Sequence, residues 1–433
     1  MNYIKYTAIA YSIFALVACG GGGGGGSISN TTAPANIPAK IVPFAVFGTS
    51  YENKNSINFD QTQMPGVRNL GIPKVYSDEL DSNERSVTFG DFFQEGKYSA
   101  FVSSMRATNK YGIENLPDAP GVAYFLSQDI NGKWRDRTNE LLKTNSDRAT
   151  CISASYSMTA DFNNDGKPDV YISCSGVDND FYNFGFSMSE LINYKSSNQI
   201  IFLSQKDNTY KRVEVPFNIY AHQAAAADIN GDGNIDIVTI NVFGNTIFPD
   251  SNSGVDSVAV LLGNGDGTFK QDTKIIPKSS SMPDLNIMWN LMVIPIDGRL
   301  DLILSKESFT IWVKGDKKGG FDWSTIKKFI MPLSTSHGTR YSTALDVVYD
   351  NGYFYFYVTD GWAGVPIEGV EWAIIKYSTD TVTASVIHTF YNPSVTLKPY
   401  SAQIKPTTSG AFVAYTGGCW SNAGACSMNV KFK

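Results

Sequence analysis

Two stretches of this chain alternate acidic or amide side chains with other residues, then add a glycine and a final aspartate. DFNNDGKPDV begins at Asp161 and DINGDGNIDI begins at Asp228, and both fit D-x-N-x-D-G-x-x-D. A hard divalent cation such as calcium takes six to eight oxygen ligands, and each stretch offers donors of that kind. The first supplies the side chains of Asp161, Asn163, Asp165 and Asp169 with the backbone carbonyl of Lys167. The second supplies Asp228, Asn230, Asp232 and Asp236 with the carbonyl of Asn234. Gly166 and Gly233 permit the sharp turn that gathers them. An EF-hand needs a glutamate at its twelfth position, where this chain has Ile172 and Thr239 inside apolar runs, so these loops join strands. The alternative is an Asx-rich hairpin without metal. Three carboxylates packed in each loop would repel one another there, so calcium is the expected cofactor.

Other chemistry is sparse. The three histidines, His222, His337 and His388, have no metal-ligand spacing, and no HExxH, CxxC, GxSxG or P-loop is present. The clustered carboxylates are taken up by the two loops, which leaves no visible glycosidase pair and no expected catalytic residue. A net charge of −6 without a concentrated Lys/Arg patch argues against a nucleic-acid partner.

The first positions of the two loops are 67 residues apart, a period that calls for weaker copies. Upstream, Asp91, Glu95 and Gly96 stand in the same register; downstream, Asp297, Gly298 and Asp301 do so, with Val293 at the first position. ALDVVYDNGYFYFYV and SAQIKPTTSGAFVAY continue the series around Asp346 and Gly410. A second half-motif lies between the loops: YFLSQDINGKW, IFLSQKDNTY, VLLGNGDGTFKQ and IWVKGDKKGGF each read as strand, turn and aromatic-led strand. Each unit then holds two hairpins. Four antiparallel strands per repeat is the size of one β-propeller blade, so the fold class is all-β. The copies without the full acidic set are expected to be held by packing alone.

The pairing of DFNNDGKPDV and DINGDGNIDI with LLGNGDGTF resembles the FG-GAP/VCBS repeat family, over roughly residues 85 to 433. That resemblance implies an integrin-α-like β-propeller with calcium loops on at least two blades, and it implies no single activity. Six blades are favoured. The last unit shows three strands, and Ile41 to Phe47 (IVPFAVF) is the expected fourth, closing a propeller that spans 41–433. A seventh, irregular blade has room in residues 50 to 84.

The N-terminus reads differently. Tyr6 to Ala18 is an apolar run of signal-peptide length behind Lys5, and residues 1–18 are expected to be a leader. It ends in Leu16-Val17-Ala18-Cys19-Gly20, which resembles the lipobox of bacterial lipoproteins. That resemblance implies acylation of Cys19 and membrane attachment through the lipid. Gly20, rather than aspartate, follows the cysteine, which in that family favours the outer membrane, with the periplasmic or cell-surface face left open. Gly20 to Gly26 and the polar run beyond make residues 19–40 a flexible tether. Four cysteines remain, an even number for an exported chain; the expected pairs are Cys151 with Cys174 and Cys419 with Cys426.

Six residues before each loop's first position, the copies carry Arg85, Ser155, His222, Ile287 and Arg340, with Tyr156, Gln223, Trp289, Tyr341 and Tyr400 close by. If the strand leading into each loop is innermost, these residues lie near one mouth of a central channel. Arg85, Tyr156, His222, Trp289, Arg340 and Tyr341 would suit an anionic or sugar-like ligand there; the plain alternative is solvated loop and packing residues. Two excursions break the period, Asp178 to Gln199 and Val242 to Asp256, and loops of this length on a rigid ring are where recognition tends to sit. The expected function is a surface-anchored, monomeric binding module for a protein or glycan. The alternatives are a carbohydrate-active lyase or hydrolase using the channel mouth, and a structural envelope scaffold.

Overall fold

The computed structural model describes residues 67–69 and most of 83–431; its longer breaks fall at 70–82, 106–120, 176–196, 242–256, 331–341, 361–369, 393–400 and 417–424. The described chain opens with β1 (Val67–Asn69). Sheet one holds β2 (Asn83–Gly90), β3 (Ser99–Met105), β4 (Ala123–Gln128) and β5 (Trp134–Asp136). Sheet two holds β6 (Ala154–Ala160), β7 (Asp169–Cys174), β8 (Ser197–Ser204) and β9 (Tyr210–Ile219). Sheet three holds β10 (Ala221–Ala227), β11 (Asp236–Asn241), β12 (Val258–Gly263) and β13 (Phe269–Asp272). Sheet four holds β14 (Asn290–Ile296), β15 (Arg299–Lys306), β16 (Phe309–Gly315) and β17 (Phe321–Ile330). Sheet five holds β18 (Ser342–Asp350), β19 (Tyr353–Asp360), β20 (Val370–Ser378) and β21 (Ala384–Asn392). Sheet six holds β22 (Ser401–Thr407), β23 (Gly410–Thr416) and β24 (Ala425–Lys431), with β1 beyond β24 as its outer strand.

Every strand pair is antiparallel, and the first strand of each sheet lies beside the first strand of the next, from β2 through β6, β10, β14 and β18 to β22. Sheet six in turn meets sheet one where β23 approaches β2. This is an all-β propeller, with the first strand of each sheet innermost. Five sheets are four consecutive strands; the sixth is completed from the N-terminal side. The closing strand is Val67–Asn69, paired with Met428, Ser427 and Cys426, so Ile41 to Phe47 is not the fourth strand of that sheet. Residues 41–47 lie outside the described residues. The three pairs of β1 and the start of β2 account for part of the 50–84 segment, and the described residues contain no seventh sheet.

The hydrophobic pattern explains the stacking. A middle strand is covered on both faces, so its apolar residues run without polar gaps and their two-residue period is divided between neighbours. Leu302 and Leu304 of β15 pack with sheet three, while Ile303 packs with sheet five. Val170 and Ile172 of β7 face sheet one, and Tyr171 faces sheet three. Between sheets one and two, Phe92, Phe101, Phe125, Phe202 and Tyr210 form one aromatic layer, with Phe125 and Tyr210 ring centroids 4.9 Å apart and Phe101 and Phe125 at 5.1 Å. Each such ring removed from water contributes roughly 1.5–3 kcal/mol.

Cys151 and Cys174 are joined as a disulfide with their Cα atoms 5.9 Å apart, tying the chain entering β6 to the end of β7. Cys419 lies outside the described residues, so the second expected pair is not placed. Among the described residues, helix is confined to single turns, such as α1 (Thr138–Leu141).

Candidate functional sites on the two ends of the propeller

The acidic loops join each innermost strand to the second strand of its sheet. The 161 loop connects β6 to β7 and the 228 loop connects β10 to β11. In both, the first aspartate caps the turn: Asp161 accepts the N–H groups of Asp165 and Gly166 at 3.1 and 2.8 Å, and Asp228 accepts those of Asp232 and Gly233 at 3.0 and 2.9 Å. Positions four and six take left-handed backbone, at Asn164 and Gly166 in one loop and Gly231 and Gly233 in the other.

The decayed loop at Asp91 follows the same path. Asp91 accepts the N–H groups of Glu95 and Gly96, both at 2.8 Å, and Gln94 and Gly96 have positive φ. Ser99 stands at its ninth position and accepts the N–H of Phe92 at 3.0 Å, as Asp169 does from Phe162 and Asp236 from Ile229. A turn of this shape therefore forms without the full acidic set. Carboxylate–amide bonds hold it.

What the full loops leave uncompensated is charge. Asp169 and Asp236 open the second strands, fully buried, and each spends its oxygens on backbone amides, including that of Ser204 or Gly263 at the end of the third strand. Loss of water pushes the Asp169 carboxyl up to about 7 and the Asp236 carboxyl up to about 6, with Asp161 and Asp228 raised for the same reason. Among the described residues, none of these four carboxylates has a Lys or Arg partner; Lys167 instead reaches the Gln205 carbonyl and the Asn208 side chain.

Two of the copies lacking the ligand set, those of sheets one and four, carry their own cation. In sheet four, Asp301 holds the ninth position and accepts the Gly315 N–H at 2.9 Å, as its counterparts do. Here Arg299 clasps it with two bonds of 2.7 and 3.1 Å, and the Trp312 indole N–H adds a third at 2.8 Å. In sheet one, Arg137 donates to Glu95, the fifth-position acid, at 2.7 Å. These copies are not held by packing alone, since fixed guanidinium groups neutralise their acids.

The donor chemistry of the full loops fits a hard cation. Every donor is oxygen, and Asp161 and Asn163 share the Asp165 N–H, so their oxygens lie side by side, as those of Asp228 and Asn230 do at the Asp232 N–H. The Ser204 hydroxyl draws Asp165 and Asp169 to a common point, at 2.9 and 2.7 Å. No three His, Cys, Asp or Glu side chains among the described residues already surround one metal-sized position, because the carboxylates are turned onto amides. Ser204, 39 residues from Asp165, carries no motif signal and was not foreseen.

The opposite end of the propeller holds the starts of the innermost strands. Arg85, Ser155 and His222 fall at β-bulges, between Glu84 and Ser86, Ala154 and Tyr156, and Ala221 and Ala224. Bulges re-aim side chains, which sets these register positions apart from the regular ladder. His222 stacks on the buried Tyr220 at 5.3 Å and lies 5.1 Å from Trp289, so the partly exposed His222 and Trp289 rings of adjoining sheets form one tier backed by a core tyrosine. Tyr156 is placed elsewhere: it is buried in the core between sheets two and three and presents little surface to a ligand. Ser155 is buried against Ser175, with their hydroxyls 2.8 Å apart. The Arg85 side chain, Arg340 and Tyr341 lie outside the described residues. Gln223 links three innermost strands: it accepts the Leu291 N–H at 2.9 Å and donates to the Leu345 carbonyl at 3.5 Å. The excursions at 176–196 and 242–256 leave from the ends of β7 and β11, on this same end.

No family model matches the chain, and no curated protein is similar to it in sequence. Among solved structures it is similar to a member of the duf4221 family from Bacteroides vulgatus, at 10% identity and TM-score 0.40, over 88% of this chain and 99% of that one. A DUF4623 family protein from Bacteroides eggerthii gives 11% identity and TM-score 0.39, over 87% of this chain and 77% of the other. An endo-1,4-beta-xylanase from Bacteroides thetaiotaomicron gives 10% identity and TM-score 0.38, over 64% and 94%. At these scores the likenesses carry nothing about function.

Proposed function

We propose that this chain is a lipid-anchored binding module, a six-bladed propeller stabilised by two calcium ions and displayed from the bacterial outer membrane. Cys19 is the lipidated residue, the glycine run is the tether, and the D-x-N-x-D-G loops are the cation sites of an FG-GAP/VCBS-like ring. Asp161, Asn163, Asp165, Asp169 and the Lys167 carbonyl hold one ion; Asp228, Asn230, Asp232, Asp236 and the Asn234 carbonyl hold the other. Calcium supplies positive charge where, among the described residues, the buried loop carboxylates have no Lys or Arg partner.

One observation carries the binding role. The Tyr220–His222–Trp289 tier stands at the end of the ring from which both long excursions depart, away from the acidic loops. The partly exposed His222 and Trp289 rings, held in place by the buried Tyr220, suit a sugar face or an apolar protein side chain. The ligand is a protein or glycan, and Arg85, Arg340 and Tyr341, which the repeat register places at or next to the position of His222, are the further candidate contacts. A glycan array with the wild-type chain, Trp289→Ala and the Arg85→Ala/Arg340→Ala pair tests this. Binding that both variants lose supports the module. Turnover of a polysaccharide overturns it in favour of an enzyme. No glycan binding, with crosslinked envelope partners unaffected by either variant, overturns it in favour of a scaffold.

A further inference from the structure

The two acidic loops touch. Asn164, at the left-handed fourth position of the first loop, donates through its side-chain amide to the Asn234 side-chain oxygen at 2.9 Å, across 70 residues of sequence. Both residues are tied into the acid cradles. The Asn164 N–H faces Asp161, and the Asn234 N–H donates to Asp232 at 2.8 Å. Asn234 also carries the carbonyl expected to complete the second cation shell. A chain of bonds thus runs from Asp161 through Asn164 and Asn234 to Asp232.

The β12–β13 hairpin closes over this contact. Gly265 lies so near that a Cβ atom there would stand 2.3 Å from the Asn234 side-chain oxygen and 2.5 Å from the Asn164 amide nitrogen. Two residues on, the Gly267 N–H donates to the Phe162 carbonyl of the first loop at 3.0 Å, and Phe269 meets the Phe162 ring edge-on at 5.8 Å. The hairpin of sheet three is therefore seated on the loop of sheet two. Ordering either loop restricts the other.

We propose that cation uptake by the two loops is cooperative, with Asn164, Asn234 and Gly265 as the coupling residues. The inference rests on reading both loops as calcium sites. A cation in the first loop fixes Asp161 and the peptide of Asn164. That holds the Asn164 amide on Asn234 and pre-orders the Asn234 carbonyl for the second ion. By linkage the effect is reciprocal. One neutral hydrogen bond of about 1 kcal/mol corresponds to about a fivefold gain in affinity for the second ion, at the lower end of typical coupling.

The test is calorimetric titration of calcium chloride into the chelator-stripped full chain. Wild type should take up two ions with the second bound about fivefold more tightly than the first, after the statistical factor. Asn164→Gly keeps the left-handed backbone, as Gly231 does in the other loop. This variant and Asn234→Ala should each still take up two ions but remove the coupling, and the double variant should lose no more than either single one. Gly265→Ala should act likewise by wedging the two amides apart. Two ions binding independently in wild type, or coupling unchanged in Asn164→Gly and Asn234→Ala, overturns this inference and leaves the calcium reading standing. Uptake of no ion, or of one, overturns both.

Discussion

Replacing Arg299 by methionine isolates the charge of one guanidinium while keeping much of its apolar stem. Asp301 is fully buried, and Arg299, with about a fifth of its side chain exposed, supplies two of the bonds on it. Breaking a buried ion pair by removing one partner costs about 3–5 kcal/mol. The low end applies here, because the Gly315 amide and the Trp312 indole keep their bonds to Asp301. Over a folded body of about 350 residues, about 3 kcal/mol corresponds to a fall in melting temperature of roughly 4 °C. The pH dependence follows from Asp301. Burial raises its carboxyl and Arg299 opposes that rise, so the variant's carboxyl lies higher still. A folded-state value above the unfolded one means the destabilisation is full at pH well above it and fades as the carboxyl protonates. The measurement is thermal melting of wild type and Arg299→Met at pH 8 and pH 4.5, with and without chelator. The expected result is a large gap at pH 8, a smaller one at pH 4.5, and no effect of chelator on the gap. An equal gap at both pH values would refute the charge argument and leave only lost packing.

The full loops should behave in the complementary way. Chelator should lower the melting temperature at neutral pH, and Asp165→Ala combined with Asp232→Ala should remove most of that sensitivity; identical melts with and without chelator would sink the calcium assignment. In the chelated chain, the raised Asp169 and Asp236 carboxyls contribute stability that is present below about pH 4 and lost as pH rises through about 6 to 7, so melting should fall between pH 4.5 and 7.5 and calcium should restore it chiefly at the upper end. Gly263→Ala and Gly315→Ala would each place a Cβ atom 2.2 Å from a backbone carbonyl, of Ile235 and Leu300 respectively, and shift the amide that Asp236 or Asp301 accepts. Each should cost about 2 kcal/mol or more, read as a lower midpoint in urea; wild-type midpoints would show that the strand ends yield freely.

Much of the fold was legible because a hairpin is local. Strand, Asx turn and strand lie within about twenty residues, and the two-residue hydrophobic period marks which ones are covered. IFLSQKDNTY and VLLGNGDGTFKQ became the third and fourth strands of their sheets, as their turn residues indicate. The acidic positions of both loops were equally plain, since spacing within a turn determines which side chains meet.

Contacts between repeats were not legible. The sequence points to Ile41 to Phe47 for ring closure on hydrophobicity alone, yet a three-residue strand at Val67–Asn69 fills the outer place, where little apolar cover is needed. Tyr156 reads as a mouth aromatic and is buried, because the bulge and the neighbouring sheet decide which way it points. The guanidinium on Glu95 comes from Arg137, 42 residues away, and the hydroxyl between Asp165 and Asp169 comes from Ser204. By itself the sequence determined the repeat, its turns and the oxygen donors, all set by short-range spacing. Which acids receive an internal cation, which strand closes the ring and that the two loops touch were decided by the packing of sheet on sheet, where residues meet through the ring rather than along the chain.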